Sequence, residues 1–231
     1  MAFRRSPLPA TLFAGEQLTG RMVGIGLNFA APATPDANIE DTLVAASIEG
    51  MERNDLRVLA VLTTWLGVHS PQINVDRLFR IVASQESKRV RAFWAALARW
   101  KATDRRFARV ARVHRGNAID LLATGTDFQI RRRGEDMRFV ASKLRVPAGV
   151  LRDRAADVLA PAELAHRHRA YRFRLIIGPS YRADAWATFD AAPDLSIAEL
   201  ARRSYASFAT AWQVAHDARL LAPERETHST K

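Results

Sequence analysis

Arg109 and His114, separated by four residues in RRFARVARVHRG, are one pair whose side chains could act together on a substrate. They fall where helical periodicity fails, so spacing alone does not bring them onto one face. Glu163, His166 and His168 are types that ligate metal, and residues three apart on a helix share a face. The sequence places no further carboxylate or imidazole beside them, so they read as part of a basic helix whose stems snorkel to water. Asp153 and Asp157, interleaved with Arg152 and Arg154, read as surface ion pairs. Gly24-Ile25-Gly26 lacks the third glycine and the helix of a dinucleotide loop. There is no Gly-rich phosphate loop and no Ser nucleophile elbow. The chain has no cysteine, which excludes disulfides and cysteine-based zinc sites. No catalytic residue, metal or cofactor is expected, and the chain reads as a non-enzyme.

Charge points to binding instead. The 231 residues carry a net charge of +11, and 31 of the 35 basic residues are Arg. Residues 1–76 sum to −3, residues 77–182 to +16 and residues 183–231 to −2. Positive charge concentrated in the middle predicts a surface for a polyanion. The apolar fraction, 48%, is enough for a buried core. Met22–Pro35 is uncharged but too short and too interrupted to span a bilayer. The expectation is a soluble, cytoplasmic protein without a membrane partner.

The elements that would position these side chains follow from periodicity. Residues 1–36 read as an irregular segment, with Pro7, Pro9, Pro32 and Pro35. Residues 37–103 read as a four-helix domain, with Asp36 or Asn38 capping the first helix. Trp65, Trp94 and Trp100 lie on apolar stripes and are expected in the core. Residues 104–178 form the basic middle region. There Phe128 and Ile130 alternate with polar residues, Gly134 marks a turn, and Phe139 and Val140 resume, which predicts a β-hairpin. Its turn would present Arg131, Arg132 and Arg133 to phosphates. Helices are predicted over Val150–Leu159 and Pro161–Ile177, the second presenting Arg167, Arg169, Arg172 and Arg174. The fold class is therefore mainly α with a small β-hairpin (α+β).

Residues 179–222 predict three helices, and residues 223–231 a polar tail that frays. Tyr181–Phe189 comes first. Ser196 caps Ile197–Arg203 with Glu199 at the third helical position, and Ser207 caps the last helix. Leu200, Ala201, Ala211, Val214 and Ala215 face inward. This layout resembles the helix-turn-helix of bacterial transcriptional regulators. That resemblance implies that Gln213 and His216 face bases in the major groove and that Arg202 and Arg203 join the phosphate contacts. Two departures stand out: Tyr205 occupies the turn where glycine is usual, and no wing follows Leu221. Phe208 and Trp212, one turn apart, suit a protein surface better than a thymine methyl, and read as partner-binding residues.

The first functional reading is a nucleic-acid-binding regulator, with DNA favoured over RNA. Its parts list is similar to that of AbiEi-type antitoxins, which implies a repressor of a bacterial toxin–antitoxin or phage-defence operon; those proteins carry the DNA-binding module at the other end. The second reading is an interaction protein whose basic middle meets an acidic partner, or which pairs with itself through Phe208 and Trp212. In the third, Arg109-x4-His114 resembles the ribonuclease motif of the HEPN family, which implies action of the pair on a ribose hydroxyl and its phosphate.

Overall fold

In the computed structural model, which describes residues 12–221, the segment ahead of Asp36 contains a helix, α1 (Gly15–Gly24). The irregular reading of that segment is corrected for a packing reason. A Cβ on Gly24 would lie 2.1 Å from the Thr34 carbonyl oxygen, and one on Gly20 would lie 2.9 Å from that of Pro32. The glycines do not break the helix; they let the returning loop pack against it.

Side-chain caps then open a series of helices. Asn38 accepts from the Asp41 amide to start α2 (Ile39–Glu52), and Asp55 accepts from those of Arg57 and Val58 to start α3 (Leu56–His69). Asn74 starts α4 (Val75–Ala83) and Ser87 starts α5 (Lys88–Trp100). Two 3₁₀ turns follow, Arg105–Ala108 and Val110–Arg112. One core runs from Leu18 to Tyr171, crossing the boundary read at residue 103. Trp65 and Trp94 are fully buried and donate their indole N–H to the Ile25 carbonyl and to Ser47 Oγ, at 2.8 and 2.9 Å. Trp100 departs from the expectation: it is half-buried and packs on the edge of the core.

The predicted hairpin is absent. Thr126–Arg133 is a helix, α6, which ends at Gly134 with φ +79°. The alternation of Phe128 and Ile130 spans too few residues to outweigh local helix formers, and Arg131–Arg133 favour the negative end of a helix dipole. The sheet consists of two-residue strands, β1 (Ile119–Asp120) and β2 (Leu144–Arg145), paired in parallel with Ile119 opposite Leu144. The fold is mainly α with a very small β component.

The helix expected over Val150–Leu159 is also replaced. Beyond a short 3₁₀ turn, Ala155–Asp157, the chain runs beside the N-terminal segment: the Asn28 amide donates to the Asp157 carbonyl, and that of Leu159 to the Gly26 carbonyl. Pro161–Ile177 is two helices, α7 (Pro161–Arg167) and α8 (Arg169–Ile177), divided at extended His168. His168 Nδ1 accepts from the Tyr171 amide as the cap of α8, so Nε2 carries the proton and donates to the Ala37 carbonyl at 2.8 Å.

The C-terminal helices α9 (Tyr181–Ala191), α10 (Ile197–Ser204) and α11 (Phe208–Leu221) pack on one another around Leu200, Ala211, Val214 and Ala215. Buried charge fastens them to the body. Glu40 and Asp184 both hold Arg174, and all three are buried. Asp41 holds Arg77 at 2.5 Å, and the Arg77 guanidinium lies 3.3 Å from the centroid of the Tyr205 ring. Tyr205 donates its hydroxyl to Asp41 at 3.2 Å. This residue, in the α10–α11 turn, adopts φ +56°, the left-handed region expected of glycine. Such a conformation costs about 1–3 kcal/mol, and the contacts with Arg77 and Asp41 offset it.

The same core holds a proton-sensitive group. His69 is buried between Trp65 and Tyr171. Its Nε2 donates to the Leu159 carbonyl at 3.0 Å, and Nδ1 accepts from the Tyr171 hydroxyl at 2.8 Å. Burial pushes its pKa down to about 4. Above an unfolded-state value near 6.5 both states are neutral. Between that value and 4 the unfolded chain binds a proton that the fold refuses, so stability falls with pH by up to about 3 kcal/mol. Urea midpoints measured from pH 7 to pH 4 should fall less steeply for His69→Gln than for the wild type. Equal slopes would exclude this role.

Candidate nucleic-acid interface

The 3₁₀ turns set the geometry of a surface whose positive charge is largely uncompensated. A 3₁₀ helix has three residues per turn, so residues three apart share a face. Phe107 and Val110 are buried and Val113 is half-buried. Arg106, Arg109, Arg112 and Arg115, at the same interval, are exposed. Arg112 and Arg115 face a cavity of about 540 Å³ shared with Phe79, Arg109 and Arg91 of α5. A second cavity of about 400 Å³ shares Arg91, Val113 and Arg115 with it and adds Lys88, His114 and Asn117. Their shared walls make one groove, and no carboxylate lines it.

Lys88, Arg91, Arg112 and Arg115 form no ion pair with any described residue. Arg91 Nε is buried in the wall without a hydrogen-bond partner. Lys143 fixes the rim by donating to the carbonyls of Arg115 and Gly116 at 3.4 and 2.8 Å. Unpaired guanidiniums in a concave surface offer phosphates bidentate contacts without first breaking a salt bridge. Phe79 and Arg109 also line a third cavity, of about 450 Å³, between α4 and the C-terminal helices.

The residues expected from sequence to contact nucleic acid are dispersed. Arg131, Arg132 and Arg133 are exposed on the last turn of α6 and pair with no described carboxylate. Arg167 pairs with Glu163 at 2.6 Å, and Arg172 with Asp190 at 3.4 Å. Arg169 pairs with Asp36 and, at 3.5 Å, with Asp190. Arg174 is corrected: it is 2% exposed, and every donor is taken inside the protein, so it cannot meet a phosphate. Arg202 and Arg203 share Glu199 at 2.6 Å each, and their three hydrogen bonds hold its carboxyl down at about 2. Gln213 donates to Asp217 at 2.7 Å. Phe208 and Trp212 are 59% and 51% exposed, and Trp212 stacks on His216 with centroids 5.2 Å apart.

Arg109 and His114 are not on one helix. The Arg109 guanidinium lies over Phe79, 3.9 Å from the ring centroid, and meets Asp76 at 3.3 Å. His114 is buried, with Nε2 3.0 Å from the Asn117 carbonyl. Glu163 is committed to Arg167 and His168 to its cap, and no group of three or more His, Asp or Glu among the described residues could hold a metal ion. No described helix is long and apolar enough to cross a membrane.

Sequence reading passes over Arg91, Arg112 and Arg115 as site residues. The available signal is the three-residue interval of RRFARVARVHR, to which tests for periods of 3.6 and 2 are blind. No family model, curated protein or solved structure matches the chain.

Proposed function

We propose that the chain is a non-enzymatic nucleic-acid-binding regulator that grips phosphates in the groove between α5 and residues 105–117. One observation carries the reading: Lys88, Arg91, Arg112 and Arg115 line contiguous cavities and none is neutralised by a carboxylate. By contrast, most arginines elsewhere on the exposed surface of residues 167–203 are paired. The exposed triplet Arg131–Arg133 extends the phosphate contacts. Helices α10 and α11, by their resemblance to a helix-turn-helix, suit duplex DNA, as in the repressor of a toxin–antitoxin or phage-defence operon.

Changing Arg91, Arg112 and Arg115 together to Ala should weaken binding to random duplex DNA. The slope of log affinity against log salt should flatten by roughly one unit for each phosphate no longer neutralised. Arg202→Ala with Arg203→Ala should change the slope little. A groove variant that keeps the wild-type slope would remove the groove from the interface. Exposure of Phe208 and Trp212 favours a second reading, a protein docked on α11, which predicts Phe208→Ala and Trp212→Ala variants with weakened self-association and an unchanged salt slope.

A further inference from the structure

The cavity between α4 and the C-terminal helices differs from the groove beside it. It is lined by Asp76, Phe79, Arg80, Arg109, Tyr181 and Tyr205, among others, and its volume of about 450 Å³ is that of a small-molecule site. At its wall a single carboxylate organises three donors. Asp76 accepts from Arg80 Nε at 3.1 Å, from Arg109 Nη1 at 3.3 Å and from the Tyr181 hydroxyl at 3.3 Å. Burial and this carboxylate push the Tyr181 hydroxyl up to about 12, so it stays a donor. Each guanidinium has five N–H groups and gives Asp76 only one, and the remaining donors have no described partner. Arg106 also lines the cavity but is paired with Asp104, so Arg80 and Arg109 set against Asp76 leave the cavity positive. Ser207 and Thr210, joined hydroxyl to hydroxyl at 2.8 Å, add polar groups to the lining.

We infer that this cavity is a binding site for a phosphate monoester carried on a small organic body, held by Arg80 and Arg109. A monoester presents three acceptor oxygens and close to two negative charges, enough to take the free N–H groups of both guanidiniums. Asp76 sets the two side chains in place beforehand, so binding costs little conformational freedom. The Phe79 and Tyr205 rings give the organic body an apolar wall. The source is either a free small phosphate or the 5′ end of a bound strand. The second source rests on the nucleic-acid reading above, and the first does not.

Full-length protein is titrated with adenosine 5′-monophosphate and with adenosine. The same protein is titrated with one duplex bearing either a 5′-phosphate or a 5′-hydroxyl. The monophosphate should bind about tenfold or more tighter than adenosine. Arg80→Gln should abolish that preference while leaving affinity for the 5′-hydroxyl duplex within about twofold, because Arg80 lies outside the groove. Thr210→Glu, a substitution suited to the third position of a helix, should weaken the monophosphate in the same way by placing a carboxylate on the wall. It guards against an Arg80 variant that fails to fold. A 5′-phosphate advantage that Arg80→Gln removes assigns the strand end as the source; an Arg80-dependent preference for the free monophosphate without it assigns the small molecule. Monophosphate binding with no duplex binding would sink the nucleic-acid reading and keep this site. Duplex binding with no Arg80-dependent phosphate preference in either arm would overturn the site and keep the groove.

Discussion

Arg174→Ala should destabilise the fold by about 3–5 kcal/mol, the cost of leaving buried charge without its partner. All five N–H groups of Arg174 are used. Nη1 donates to Glu40 Oε1 at 2.7 Å and to the Gln72 carbonyl at 3.0 Å. Nη2 donates to Glu40 Oε2 and Asp184 Oδ2, and Nε to Asp184 Oδ1, all within 3.0 Å. The two carboxylates raise the guanidinium's pKa above its ordinary value, so it remains charged despite burial. Removing it leaves Glu40 and Asp184 facing one another without water, and one of them must take up a proton. The loss appears as a lower urea midpoint with an unchanged m-value. A shift under about 1 kcal/mol would mean that water reaches the site and repairs it. Truncating all three residues to neutral, similar-sized side chains should cost far less, because no charge is then stranded.

Trp94→Ala is the second large effect, expected at about 3–5 kcal/mol. The indole is 1% exposed, meets Phe93 edge-on at 6.0 Å and donates to Ser47 Oγ. Its helix packs against α2 and α4, which have little room to collapse into the space vacated. For a chain of this size the thermal midpoint should fall by about 6–20 °C. A midpoint unchanged within a degree would place Trp94 at a surface instead. The half-buried Trp100 gives the internal comparison and should cost less on truncation.

These two side chains mark how far sequence carries. Trp94 was legible because its helix is long and its apolar residues recur with period 3.6. The three C-terminal helices were legible for the same reasons, with Ser196 and Ser207 at the starts of the last two. Arg174 was not. A helix rich in arginine looks basic all round, and only the distant Glu40 and Asp184 reveal that this one faces inward. Long-range pairing also decided the end of Val150–Leu159, where the Asp157 carbonyl and the Leu159 amide bond to the N-terminal segment instead of within a local α-helix. The hairpin expectation failed because two alternating apolar residues fit a short helix as well as a strand. The Tyr205 turn was half legible. Its position called for a left-handed residue, and the compensating contacts come from α2 and α4, far away in sequence.

The three-residue interval between Phe107 and Arg115 makes the length of this segment as constrained as its composition. Each residue of a 3₁₀ helix turns the chain by about 120°, so deleting one residue rotates everything after it by a third of a circle. Past such a deletion the face that Val110 buries would be handed to Ala111, and past an insertion to Arg109. Most exposed connections absorb insertions and deletions readily. This one has the frame of a gear: a residue can be exchanged for another of its kind, but the count of teeth must stay the same for Phe107 and Val110 to stay in the core and Arg109 and Arg112 outside it.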